Sequence, residues 1–134
     1  MRLSTQSRYG LRALVVISRE GDRPISCEKI SEIEGISKKY LDRILGTLRQ
    51  ASLVESHRGQ GGGYCLARPP DQIRLNEVVS VLENSFEIIP CLEDTDNCER
   101  SCNCRTRNVW RTVTSALENA LEDITLADIS GCRE

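Results

Sequence analysis

The chain has 134 residues, of which 18 are Lys or Arg and 20 are Asp or Glu, and its formal net charge is −2. This length fits one small domain with at most an appended dimerisation element, and no apolar run approaches the roughly 20 residues that a membrane-spanning helix needs. The first residues also lack the apolar core of a secretory signal, so we expect a cytoplasmic protein.

The first predicted element is a helix over about residues 7–19, ended by a turn at residues 21–24. Its predicted apolar face consists of Leu11, Leu14, Val15 and Ser18. Two arginines near the start of the chain, Arg2 and Arg8, are candidate phosphate contacts. Ordinary solvated charge explains them equally well.

A pair of helices with a short turn between them is predicted next. Ile30 and Ile33 are three residues apart, as on one face of a short helix, and Gly35 ends that pattern. Ser37 is suited to cap a second helix, whose apolar face is Leu41, Ile44, Leu45 and Leu48. The opposite face of this second helix carries Lys38, Lys39, Asp42 and Arg43.

After Ala51 the periodicity changes to that of a β-hairpin. Residues 53–56 read as one strand and residues 64–66 as the returning strand, with four glycines among residues 59–63 at the tip. Glycines let the backbone approach a partner closely, so Arg58 and Gln60 are the long side chains left to reach outward there.

Helix, turn, helix and hairpin in this order predict a winged helix-turn-helix, a mainly α fold with a small β-hairpin wing. The second helix would enter the major groove of DNA while the wing reaches the neighbouring backbone or minor groove. Lys and Arg bind phosphates or guanine edges, and Asp42 can accept a hydrogen bond from a cytosine amino group. The candidate DNA-contacting residues are Arg2, Arg8, Ser37, Lys38, Lys39, Tyr40, Asp42, Arg43, Arg58, Gln60, Gly61 and Gly62.

The distribution of charge supports this interpretation. Residues 1–68 hold 12 Lys or Arg against 7 Asp or Glu, whereas residues 69–134 hold 6 against 13, so the half with the wing is the basic one. A merely solvated helix face is the plain alternative. A nucleotide phosphate loop is rejected, because the glycines are followed by a strand at Tyr64 and not by a Lys-Ser/Thr helix start.

Two prolines, Pro69 and Pro70, close the wing, and an amphipathic helix with Val78, Val79 and Leu82 follows it up to residues 84–85.

A last long helix is predicted over residues 106–122. Its broad apolar stripe is Val109, Trp110, Val113, Ala116, Leu117, Ala120 and Leu121. We expect a homodimer through this stripe, with packing on its own domain as the alternative. The predicted division is residues 1–83 for DNA binding, 84–105 for a cysteine-rich sensor loop, and 106–134 for dimerisation.

Four of the seven cysteines lie within fourteen residues: Cys91, Cys98, Cys102 and Cys104. In a chain without an export signal, such a group indicates metal or redox chemistry. Thiolates suit an iron–sulfur cluster, whereas the lack of paired Cys-x2-Cys knuckles disfavours zinc. Cys27 and Cys65 fall inside helix and strand patterns and are expected to be small buried residues, and Cys132 receives no role.

The motifs at residues 1–4, 36–41, 58–64 and 73–78, together with the cysteine loop, resemble the bacterial regulators typified by IscR and NsrR, over essentially the whole chain. The resemblance implies cluster ligation by Cys91, Cys98 and Cys104. The fourth ligands of those relatives do not carry over, because Arg107 and Arg8 stand at the matching positions. Cys102 is therefore the leading candidate, with Glu93, Asp94, Glu99 or an outside thiol as alternatives, and both 2Fe–2S and 4Fe–4S clusters stay open.

These observations predict a homodimeric transcription regulator, acting as a repressor on a palindromic DNA operator, whose DNA affinity an iron–sulfur cluster controls. No membrane or small-molecule substrate is expected as a partner. One alternative is a cluster-free thiol switch, and another is a small iron–sulfur electron carrier with no DNA role. Enzymatic catalysis is not expected, since the sequence offers no nucleophile–base pair.

Overall fold

The computed structural model describes residues 3–86, 92, 99 and 103–131 of the chain. This part of the chain is mainly helical with one antiparallel hairpin, as predicted. Its elements are α1 (Thr5–Arg19), α2 (Cys27–Glu34), α3 (Lys38–Gln50), β1 (Val54–His57), β2 (Gly63–Leu66), a 3-10 turn (Pro70–Gln72), α4 (Leu75–Glu83), α5 (Arg107–Glu122) and α6 (Leu126–Ser130). No helix in the described ranges is both long and apolar enough to cross a membrane.

Serine side chains start the first three helices. The hydroxyls of Ser4, Ser26 and Ser37 each accept a hydrogen bond from the backbone amide three residues later, at 3.1 to 3.3 Å. Gly35 ends α2 in the left-handed conformation (φ 66°), which gives the short turn into α3. The predicted helix-turn-helix and the cap at Ser37 are thus confirmed.

The core lies between α1, α3 and α4, with the wing and α6 closing its ends. The predicted apolar face of α3 is confirmed, because its four residues are fully buried. The predicted face of α1 is incomplete: Leu14 is buried and Leu11 and Val15 pack half-buried against the core, but the buried residues also include Gly10, Ala13, Val16 and Ile17. Gly10 and Ala13 are small enough for α3 and α4 to pack closely there. A Cβ on Gly10 would lie 2.4 Å from Leu82 Cδ1 and 3.4 Å from Ile44 Cγ2. Ile33 is 52% exposed, since only the stripe of α2 with Cys27 and Ile30 is buried.

The wing is attached to the start of α2 by backbone pairing. Ile25 and Tyr64 exchange two hydrogen bonds, of 3.1 Å and 2.7 Å, beside the β1–β2 hairpin. The neighbouring Gly63 has a φ of +153°, and a Cβ there would lie 2.3 Å from the carbonyl of Ile25. The close approach therefore requires glycine, and it holds the wing against the helix-turn-helix.

The C-terminal end of α5 is tied back to the segment that precedes α4. Leu75 N donates to Ile124 O (2.9 Å), Leu126 N donates to Ile73 O (2.8 Å), and the Arg74 guanidinium donates to Glu122 O (2.9 Å). Leu126 is fully buried, and α6 packs on α1. The chain thus returns onto the domain after α5.

Candidate nucleic-acid interface

The outward surface of α3 is built by the same periodicity that buries its apolar face. Lys38, Lys39, Asp42 and Arg43 are exposed, as predicted. This face continues through the half-buried Gly46 and the exposed Arg49 and Gln50, which were not among the predicted contacts. The i+3 and i+4 spacing from Lys39 and Arg43 would have revealed them.

The first turns of α1 flank this surface. Gln6 lines an open cavity of about 250 Å³ together with Tyr40, Arg43, Ile44, Gly46, Thr47 and Gln50 of α3. The rings of Tyr9 and Tyr40 meet edge to face, with 5.9 Å between their centroids. Arg12 lies 5.4 Å from the Tyr9 ring centroid and pairs with Glu34 at 2.7 Å. These contacts join α1, α2 and α3 beside Tyr40.

The wing tip presents a narrow backbone edge beyond β1. Arg58, Gln60 and Gly61 are exposed, and Gly59 and Gly61 have φ angles of +99° and +76°. Gly62 N donates to Gly59 O at 3.0 Å and closes the tip. Arg49 Nη1 lies 3.5 Å from Ser56 Oγ, so a basic residue of α3 reaches the wing.

Positive charge on this surface is uncompensated. Within the described part of the chain, Lys38, Lys39, Arg43 and Arg58 make no ion pair within 4.0 Å. Arg8 is exposed at the start of α1, where its Nη2 lies 3.4 Å from Thr5 Oγ1. A surface of this kind attracts phosphates. Arg2 lies outside the described residues.

Asp42 lies on the side of α3 that faces the wing and the start of α2. Burial and a hydrogen bond with Asp42 raise the pKa of Cys27 to about 12. The Cys27 thiol also lies 3.8 Å from Lys38 O. Burial, with the neighbouring Cys27 and Asp42, raises the pKa of Tyr64. Asp42 thus lies near the junction of helix pair and wing while remaining exposed, and Cys27 is a protonated thiol, as expected of a small buried residue.

Of the four clustered cysteines, the structure describes Cys104. Its thiol is half-buried and lies 3.2 Å from Thr106 Oγ1, immediately before α5. Cys91, Cys98 and Cys102 lie outside the described residues, as does Cys132. Among the residues that are described, no three His, Cys, Asp or Glu side chains form a metal site. Cys65 is buried, and burial together with the charges of Asp22 and Glu55 raises its pKa.

The basic recognition helix and the glycine-tipped wing define a DNA-binding protein of the winged-helix class. Residues 3–131 match the family model described as Rrf2, iron-dependent transcriptional regulator. The chain belongs to the Rrf2 family, whose members are transcription regulators and not enzymes.

Curated and solved relatives agree with this assignment. The rrf2 protein of Nitratidesulfovibrio vulgaris is 38% identical over 96% of this chain and 87% of its own. The structure of CymR, the global cysteine regulator of Bacillus subtilis, is similar with a TM-score of 0.79 and 32% identity over 97% of this chain and 96% of that one. The T. potens IscR structure is similar with a TM-score of 0.78 and 35% identity, over 96% of this chain and 85% of that one.

Proposed function

We propose that this protein is a cytoplasmic, homodimeric repressor that binds a palindromic DNA operator, with a DNA affinity that depends on an iron–sulfur cluster. The observation that carries the DNA-binding part is the exposed, uncompensated basic surface of α3 beside the wing. In this proposal α3 enters the major groove by its N-terminal end. Ser37, Lys38, Lys39, Tyr40 and Arg43 contact bases and phosphates, and Asp42 reads a cytosine.

The remaining proposed contacts surround the recognition helix. Arg58, Gln60, Gly61 and Gly62 of the wing approach the adjacent backbone or minor groove, and Arg2 and Arg8 contact phosphates at the other flank.

Lys39→Ala and Arg58→Ala should each weaken DNA binding at all sequences and reduce the slope of log affinity against log salt by about one. Fluorescence anisotropy over a salt series measures both quantities.

Arg19→Ala is the matched control, because it removes an equal charge at the opposite end of α1, where Arg19 contacts Ser130 O. Its salt slope should equal that of the wild type. An unchanged slope in both Lys39→Ala and Arg58→Ala would contradict the proposed surface.

The homodimer is proposed from the surface of α5. Val109 and Trp110 are 53% and 40% exposed in the single chain, and Thr114 is the one buried residue that the structure describes in this helix. The other large residues of the stripe are half-buried: Val113, Leu117 and Leu121. Part of the apolar stripe of α5 therefore stays exposed in the single chain, and pairing with a second copy would cover it. A dimer of this kind places two recognition helices on half-sites about one helical turn, or roughly 34 Å, apart.

The proposed cluster ligands are Cys91, Cys98 and Cys104, with Cys102 as the candidate fourth. Four thiols within fourteen residues fit the thiolate chemistry of iron–sulfur clusters, and the half-buried Cys104 stands where the segment joins α5. A bound cluster would supply a redox-active centre that oxidants or iron supply can remove. Cys104 and Thr106 lie directly before the proposed dimer helix, so an ordered or released ligand segment would change the start of α5.

A second candidate is a cluster-free thiol switch. It is favoured by the similarity to the B. subtilis global cysteine regulator, which matches this chain as well as the IscR structure does. In that case a disulfide among the four clustered cysteines would change DNA affinity. The buried Cys27 would take no part, because its raised pKa keeps the thiol protonated.

Protein purified without oxygen separates the two candidates. A cluster regulator should show visible sulfur-to-iron absorption with matching iron and sulfide, should lose both in a Cys104→Ala variant, and should change DNA affinity when the iron is chelated. Cys65→Ala is the control and should keep the absorption. A colourless protein whose DNA affinity follows added reductant would instead support the thiol switch.

A further inference from the structure

Glu83, the last residue of α4, reaches across to the start of α1. Its Oε1 accepts hydrogen bonds from Ser4 N (2.7 Å), Ser4 Oγ (2.7 Å) and Ser7 Oγ (2.5 Å). Ser7 is fully buried, and its own amide donates to Ser4 Oγ at 3.1 Å. One carboxylate oxygen therefore holds both ends of the first turn of α1.

The charge of Glu83 suits this position. The first turn of α1 contains no acidic residue of its own, although the amino end of a helix carries partial positive charge. Burial acts to raise the pKa of Glu83, but the hydrogen bonds from Ser7 and Ser4 outweigh it and keep the pKa below its usual range. The carboxylate supplied by α4 thus takes the place of an acidic residue in the turn.

The turn that Glu83 holds is also the one that flanks the recognition helix. Gln6 lines the open cavity beside Tyr40 and Arg43, and Arg8 is exposed in the same turn. Since α4 also packs on α1 and α3, the three helices meet at this end of the domain. A shift of the turn would move Gln6 and Arg8 relative to α3.

We infer that Glu83 is a positioning residue for DNA binding, which holds the first turn of α1 so that Arg8 and Gln6 stand at a fixed place beside the recognition helix. The inference rests on the proposed DNA-reading function. A purely stabilising role for Glu83 makes a different prediction, because it would lower thermal stability and leave the DNA affinity of the folded protein unchanged.

The test compares Glu83→Ala, Glu83→Gln and Arg8→Ala in the full chain, with DNA affinity measured well below the melting temperature of every variant. Glu83→Ala should weaken binding by about tenfold, the effect of misplacing one charge-assisted contact. Glu83→Gln keeps an accepting oxygen and should restore part of that loss. Glu77→Gln is the control, because it removes another α4 carboxylate, one that pairs with Arg68 at 2.5 Å, and its affinity should equal that of the wild type.

The double variant tests whether Glu83 affects DNA binding through the first turn of α1. If Glu83 acts by placing Arg8, the double variant Glu83→Ala with Arg8→Ala should bind DNA about as weakly as either single variant. Independent effects would instead multiply the two losses in affinity. Full additivity, wild-type affinity in Glu83→Ala, or wild-type affinity in Arg8→Ala would each overturn the inference. Failure of the proposed function is distinguishable, since the wild-type protein itself would then show no salt-dependent DNA binding.

Discussion

Burial separates the described cysteines into two chemical kinds. Cys27 and Cys65 are buried, and burial is the main reason why both pKa values are raised. Thiolate is the reactive form of cysteine, so these two residues are protected within the helix pair and the wing. Cys104 is half-buried at the start of α5. Thiol or metal chemistry in this protein is therefore expected at the clustered cysteines and not in the DNA-binding half.

The acid sensitivity of Glu83 follows from its lowered pKa. An unfolded glutamate has a pKa of about 4.3, so the ionised Glu83 contributes its full stabilisation above that pH and loses it as the pH falls through the lower pKa of the folded state. The wild type should be more stable than Glu83→Gln at pH 7, and this difference should shrink below about pH 4. Urea unfolding of both proteins at pH 7 and pH 3 measures it, and an equal difference at both values would contradict the assignment.

Among the elements, α3 combines two demands on one helix. Four fully buried residues hold one face in the core, while the other face is exposed, as the proposed contact with a DNA duplex requires. Gly46 stands on that open side, and a Cβ there would meet nothing within 4 Å. Glycine is a poor helix former, so its presence in mid-helix suits a surface that another molecule approaches closely.

Gly46→Ala should therefore have opposite effects on the stability of the fold and on DNA binding. The substitution should raise the free energy of unfolding by about 0.5–1 kcal/mol, because alanine favours the helix and the site is open. It should also weaken DNA binding, since the added methyl group stands on the proposed DNA-facing surface. Ser115→Ala on α5 is a matched control that should also gain stability and leave DNA affinity unchanged. Tighter or equal DNA binding by Gly46→Ala would place this part of α3 outside the DNA contact.

The whole molecule is a DNA-binding domain with a C-terminal helix, α5, whose apolar stripe stays partly exposed in the single chain. The return of residues 124–126 onto residues 73–75 secures the C-terminal end of α5. Its N-terminal end joins the cysteine segment at Cys104 and Thr106. The helix is thus placed between the proposed sensor and the DNA-binding domain.

The dimer proposal predicts a clear contrast between two neighbouring substitutions. Ala116 lies on the exposed apolar stripe of α5, whereas Ser115 is rotated by about 100° away from it. Ala116→Glu should convert the dimer to a monomer and reduce affinity for a two-half-site operator, because it places a charge in the apolar contact. Ser115→Glu should remain a dimer. Analytical ultracentrifugation measures the oligomeric state of both variants. An Ala116→Glu variant that remains dimeric would contradict the proposed interface.

Local features of this chain could be predicted from the sequence because they depend on near neighbours. The spacing of Leu41 to Leu48 predicted the buried face of α3, Ser37 and Gly35 predicted the turn before it, and the glycines of residues 59–63 predicted the hairpin tip. The exposed basic residues of α3 followed from the same periodicity. Helix caps, turns and amphipathic faces involve residues within a few positions of one another, so their pattern is visible in the sequence.

Contacts between distant parts of the chain required the tertiary structure. The bonds of Glu83 span 76 and 79 residues, the pairing of Ile25 with Tyr64 joins helix pair and wing, and the buried face of α1 depends on the approach of α3 and α4 at Gly10. α1 contacts several other elements, so its own apolar spacing revealed only part of the surface that faces the core. The amino-acid sequence by itself therefore determined the elements and the exposed basic face of α3. Only the packing of those elements decided which residues hold that surface in place, because such contacts depend on the path of the whole chain.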